Sequence, residues 1–141
     1  MQPIDKVLLW VTRIGVFLVP FIPLIISGSM FFPFITGKNF AFRIIVEIIF
    51  AAGLLLALRV PRFRPKRSPL LWCVFAFLGI VFIADMFGAN PFKAFWSNFE
   101  RMEGFITLLH LGAYFLVASS VLDSEKLWHR FFATSVGVSA F

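Results

Sequence analysis

Long apolar blocks separated by short charged or proline-rich stretches dominate this chain, and that pattern leaves few folds open to it. Four blocks, at about 7–26, 41–58, 69–87 and 105–122, approach the ~20 residues with which a helix crosses ~30 Å of hydrocarbon. In lipid every backbone N–H and C=O must find a partner within the chain, and a continuous apolar block does so as a helix. The expected fold class is all-α integral membrane, with four complete transmembrane helices and the start of a fifth at 128–141. Apolar residues make up 60% and charged residues 14% of the chain, against about 25% charged in an ordinary soluble domain, which excludes that class. Because WHRFFATSVGVSAF stops while still apolar, residues 1–141 read as the amino-terminal part of one longer polytopic domain.

The first block follows Lys6 and precedes Ser27 to Ser29, as a secretory signal would, but it exceeds the 7–15 apolar residues of a signal core and apolar sequence resumes at Met30. It reads as a retained span, kinked at Pro20 and Pro23 where ring and missing donor disturb the helix. Counting Lys and Arg in the loops fixes the expected orientation. With the amino terminus cytoplasmic, Lys6, Arg59, Arg62, Arg64, Lys66, Arg67, Lys126 and Arg130 lie inside, while Lys38, Lys93 and Arg101 lie outside. The loops 27–40 and 88–104 then face out. Pro61, Pro65 and Pro69 make the inner loop 59–69 an extended connector. The basic cluster of that loop accounts for most of the net charge of +6, so it signals topology rather than nucleic-acid binding. Cys73 lies in an apolar run without a disulfide partner and reads as a small buried hydrophobe.

Charges within the blocks are costly in lipid and must pair or face protein. Arg43 and Glu47, four residues apart, share a helix face: they form either a self-neutralising pair or the lining of an outer-leaflet cavity in which Arg43 meets an anion. Arg13 is expected to snorkel toward the inner headgroups. His110 reads as a neutral hydrogen-bonding residue between helices, or as a proton relay. No His, Cys or carboxylate stands at i+3 or i+4 from it, so a metal site is not expected.

The segment NPFKAFWSNFERMEGF, 90–105, concentrates aromatic and charged residues between two apolar blocks. Asn90 followed by Pro91 starts a helix well and Gly104 stops one. On a helix over 91–103, Phe92, Phe95, Trp96 and Phe99 form an apolar arc, with Lys93, Ser97 and Arg101 on the other side. Such a helix would lie flat on the outer surface. Aromatic anchoring explains the Phe residues, but not Glu100, Arg101 and Glu103 beside Trp96. Arg101 suits a phosphate or pyrophosphate, with Lys93 or Arg43 as helpers; Glu100 and Glu103 can orient that fork, bind sugar hydroxyls or serve as a base.

FFPFITGKNFAFRIIVEIIFAAGLLLAL (31–58) and FWSNFERMEGFITLLHLGAYFL (95–116) resemble the amino-terminal part of the O-antigen ligase family, the second segment being the more specific; the similarity runs over about 31–122. The resemblance implies a GT-C-like glycosyltransferase of the bacterial cytoplasmic membrane, working without a metal ion in lipopolysaccharide and cell-envelope synthesis. Such an enzyme moves a glycan from an undecaprenyl-diphosphate carrier to an acceptor at the outer face, so the expected partners are membrane lipids, the lipid-linked glycan and the acceptor. Family members carry catalytic Arg and His residues in a large late loop, expected here beyond Phe141; His110 is not that histidine. The rival function is a polytopic solute or bicarbonate-like anion transporter using Arg43, Glu47 and His110, and the third is a non-catalytic membrane scaffold.

Overall fold

A computed structural model describes residues 1–25, 35–98 and 103–140, and every regular element among them is helical. The helices are α1 (Pro3–Leu18), continued by a 3₁₀ stretch at Val19–Leu24, α2 (Thr36–Arg59), α3 (Pro69–Met86), α4 (Pro91–Trp96), α5 (Phe105–Val121) and α6 (Glu125–Ser139). Three segments, Pro3–Leu24, Thr36–Arg59 and Pro69–Met86, are long and apolar enough to cross a membrane, while α5 is an apolar helix of 17 residues. At the prolines of the first block the α-helix gives way to 3₁₀ geometry over Val19–Leu24, because proline has no N–H to continue the i→i−4 ladder and its ring crowds the preceding turn.

Local sequence explains where most helices begin. Ser68 accepts a hydrogen bond from the Leu71 amide at 3.2 Å with Pro69 next to it, Asn90 accepts from Lys93 at 3.2 Å before Pro91, and Ser124 accepts from Leu127 at 3.4 Å. Each satisfies an amide that the first helical turn leaves open. The fifth helix therefore starts three residues before the expected Trp128, at Glu125. The loop 60–68 is largely extended, as its prolines require, but opens with a 3₁₀ turn at Pro61–Phe63 that buries Phe63 in the core.

Helices α1, α2 and α5 form the centre. Val16, Ile49, Leu56, Val117 and Val121 are almost wholly buried there, with Phe63 and Leu122 closing one end. α1 runs antiparallel to α2: Gly15 meets Ile49, Thr12 meets Gly53, and Asp5 pairs with Arg59. A Cβ on Gly15 would overlap Ile49 Cγ2, so the absence of a side chain sets how closely the two helices approach. Ile49 is β-branched and 1% exposed, and can yield little. Gly15→Ala is expected to cost about 1–3 kcal/mol by overpacking, read as a lowered melting temperature, with partial recovery when Ile49→Ala is added.

Polar side chains lock one end of the bundle. Arg59 Nε donates to Asp5 Oδ1 at 2.7 Å and its Nη2 to Gln2 Oε1 at 2.8 Å. Asp123, just after α5, accepts from Arg13 Nη2 at 3.0 Å and Arg62 Nη2 at 2.7 Å, while Arg13 Nε donates to the Val121 carbonyl at 3.2 Å. Arg13 thus turns its charge to Asp123 and the Val121 carbonyl. It lies beside the last turn of α5, where four carbonyls lack helical partners and a cation is favoured.

Candidate functional site

At the opposite end of the bundle, α4 sits on α3 and α5. Phe95 is the wedge: its ring meets Phe82 of α3 at 5.6 Å and Phe105 of α5 at 5.3 Å between centroids, both edge-on, and Phe82 meets Phe105 at 5.5 Å. This arrangement overrides the flat helix expected over 91–103. α4 ends at Trp96, where the Ser97 amide closes on the Lys93 carbonyl at 2.7 Å, and Ser97 then takes φ 61°, ψ −165°. That conformation is unfavourable for any residue with a Cβ and is held only by strong surrounding contacts. Phe95, half-buried, packs its ring between α3 and α5 one residue before α4 ends.

The expected site residues are dispersed by this geometry. Lys93 and Trp96 are exposed on α4, Trp96 at 49%, with Phe92 exposed at 76%, so among the described aromatics of the segment Phe95 is the one packed between helices; Phe99 lies outside the described residues. Glu103 is exposed and non-helical just before α5. Glu100 and Arg101 lie outside the described residues. Gly104 is the N-cap of α5, and a Cβ there would overlap the Phe95 carbonyl oxygen and approach the Ala94 carbonyl oxygen to 2.7 Å. Only glycine lets the chain enter α5 so close to α4.

Arg43 and Glu47 both reach across to α5 at successive turns. Arg43 Nη2 donates to Thr107 Oγ1 at 3.0 Å, in the first turn of α5 and close to the Phe95 wedge. The carboxylate of Glu47 meets His110 Nε2 at 3.4 Å, and the other ring nitrogen, Nδ1, is 2.7 Å from the Ile106 carbonyl. Sequence spacing could not reveal this pair, since 63 residues separate its members; the signal was that each is a polar group within an apolar block. Below it, between α2, α3 and α5, lies a cavity of about 300 Å³ lined by apolar side chains, with Glu47 and His110 as its polar members.

Among the described residues no group of three or more His, Cys, Asp or Glu side chains is placed to hold a metal ion. Cys73, expected to be buried, is exposed on α3. The end near α4 carries charges of both signs: Arg43 of α2, which reaches Thr107 in the first turn of α5, and Lys93 on α4 stand with Asp85 near the end of α3 and Glu103 just before α5. Comparison with protein-family models, curated proteins and solved structures finds no match to this chain.

Proposed function

We propose that this chain is the amino-terminal part of a glycan ligase or polymerase of the bacterial cytoplasmic membrane, which transfers a glycan from an undecaprenyl-diphosphate donor to an acceptor at the outer face. In this reading α1, α2, α3 and α5 are four crossing helices of a GT-C-like protein, the amino terminus and the Asp123 end are cytoplasmic, and α4 lies at the outer surface. The observation that carries it is that Arg43 bonds Thr107 in the first turn of α5, at the end of the bundle where Phe95 ties down α4, the short helix on which Lys93 is exposed. A diphosphate is the leaving group of such a transfer, so cations that meet its growing charge accelerate the reaction. Arg101, four residues past the Ser97 turn, is the further candidate for that role, with Glu100 and Glu103 as its supports and Trp96 as a surface for the sugar. The residues that complete the catalytic centre are expected beyond Phe141.

Lys93→Ala and Arg101→Ala in the full-length protein are each expected to lower glycan transfer roughly tenfold, the loss of one charge-assisted contact to an oxyanion. Membrane insertion, read by cysteine accessibility, should stay normal. Unchanged transfer in the double variant would remove this end of the bundle from the mechanism. A polytopic transporter is the second reading, favoured by the Glu47–His110 pair between two helices long or apolar enough to lie in a membrane; it predicts solute uptake that the two α4-side variants leave intact.

A further inference from the structure

Two arginines share one groove at the side of α1. α6 leaves the bundle just past Asp123 and meets α1 through Phe131, whose ring stands edge-on to Phe17 at 5.8 Å between centroids. Between the two helices lies a cavity of about 420 Å³, walled by Trp10, Ile14 and Phe17 of α1 and by Leu127 of α6, with Arg13 and Arg130 as its charged members. No carboxylate among the described residues lines it. Asp123 and Glu125, the acids nearest the start of α6, line a different cavity together with Arg62, Arg64 and Lys66.

Both arginines have donors to spare. Arg13 gives Nε to the Val121 carbonyl and Nη2 to Asp123, and its Nη1 bonds none of the described residues. Asp123 also accepts from Arg62, so it offsets the Arg13 charge only in part. Arg130 is exposed and its guanidinium bonds none of the described residues; only its carbonyl is used, accepting from Thr134 Oγ1 at 2.8 Å. One edge of the groove is thus net cationic while its walls are apolar. That edge lies at the polar end of the bundle, where Arg62 comes from the basic connector 60–68 and Arg59 pairs with Asp5. Clustered Lys and Arg at the ends of apolar helices mark the headgroup layer, and α1 with its 3₁₀ continuation is long and apolar enough to cross a membrane.

We propose that this groove binds one anionic phospholipid of the surrounding membrane, its phosphate between Arg130 and Arg13 and one acyl chain along Trp10, Ile14 and Phe17. Basic pockets between helices at a membrane surface recognise such headgroups. The planar guanidinium of Arg130 can give two parallel hydrogen bonds to phosphate oxygens, and Arg13 Nη1 a third. The apolar walls add little selectivity, because a chain that enters the groove leaves equally apolar neighbours in the bilayer. Selection therefore falls to the headgroup. A zwitterionic lipid brings an ammonium group for which the groove has no carboxylate, and a soluble phosphate has no chain to hold it against the walls. The volume, within the roughly 300–1,000 Å³ of small-molecule sites, takes the phosphate and the adjoining part of one chain. The inference needs α1 to cross a membrane; it does not rest on glycan transfer, and it holds in either orientation because headgroups line both surfaces.

The probes are phosphatidylglycerol and phosphatidylcholine, each with a photoactivatable group in one acyl chain, added in trace to the full-length protein in phosphatidylcholine nanodiscs. After illumination, peptide mapping is expected to find phosphatidylglycerol adducts in residues 9–17 and 127–131 at least about fivefold above those at the exposed α3 residues Ile80 and Ile83, with phosphatidylcholine adducts spread evenly. Unlabelled phosphatidylglycerol should compete, and glycerol phosphate in solution should not. Arg130→Gln should lower the enrichment about fivefold, the effect of one basic contact at a membrane surface. Lys126→Gln removes the same charge from α6 outside the groove and should leave the enrichment in place. Even labelling by the two lipids, competition by glycerol phosphate as strong as by phosphatidylglycerol, or a loss in Arg130→Gln no greater than in Lys126→Gln would overturn the proposal. The comparison of the two lipids uses the unaltered protein, so it decides the matter even where a variant does not insert.

Discussion

Alanine at Gly104 is expected to free α4 from the bundle while leaving the rest of the fold standing. The added Cβ overlaps a backbone carbonyl of residue 95, which no rotamer change can move, so the two chain segments must separate. Phe95 then leaves its place between Phe82 and Phe105. Two edge-on aromatic contacts at about 0.5–1.5 kcal/mol each, plus reburial of part of a phenylalanine at up to about 1.5–3 kcal/mol, put the local loss at about 2–5 kcal/mol. That exceeds what a six-residue helix can resist, so α4 opens. The core around Val16, Ile49 and Leu56 lies elsewhere and should melt as before. Amide exchange in residues 91–97 and the emission of Trp96 report the opening. Gly79→Ala is the control, since a Cβ there meets nothing within 4 Å. In a glycan-transfer assay, Gly104→Ala should be as damaging as removal of Lys93, since it displaces that residue together with its helix.

The second large effect is expected at Asp123. Its side chain is 15% exposed and joins an arginine that is 30% exposed to one that is 73% exposed. The two bonds are unequal in consequence. The Arg62 bond lies largely in solvent, where such pairs contribute about 0–1 kcal/mol, so Arg62→Ala should change stability little. Arg13 lies deeper on α1, and removal of its partner leaves a partly buried charge, which costs about 3–5 kcal/mol in full burial and about 2–3 kcal/mol at this exposure. Asp123→Ala should therefore lower the melting temperature by roughly 5–10 °C. Added salt should erase the Arg62 contribution and spare most of that of Arg13. Equal effects of Asp123→Ala and Arg62→Ala would show that the Arg13 bond contributes nothing.

Local signals in the sequence reached as far as local physics does. Helix starts at Pro69 and Pro91 follow from Ser68 and Asn90, which bond amides three residues away, and the ends of the apolar blocks mark helix ends to within a few residues. The helix expected over 91–103 stops at Trp96: its 3.6-residue periodicity treated Phe92, Phe95 and Trp96 as equivalent, whereas tertiary packing selected Phe95; residues 99–102 lie outside the described ones. Arg43 and Glu47 were placed on one face correctly, but their partners, Thr107 and His110, come from a helix more than 60 residues later. Arg13 likewise gave no hint of Asp123. Side chains that meet across helices are a product of the fold, and a single sequence records only that each is out of place.

The bond between Arg13 and Asp123 joins residues 110 positions apart. A ribosome adding roughly 5–20 residues per second needs about 5–20 s to travel that distance. For that interval the first helix carries a guanidinium whose acceptor does not yet exist, and its final depth is not settled. The arrival of Asp123 at the end of the fourth apolar block completes the first one, so a late step of assembly acts on the part of the chain made earliest.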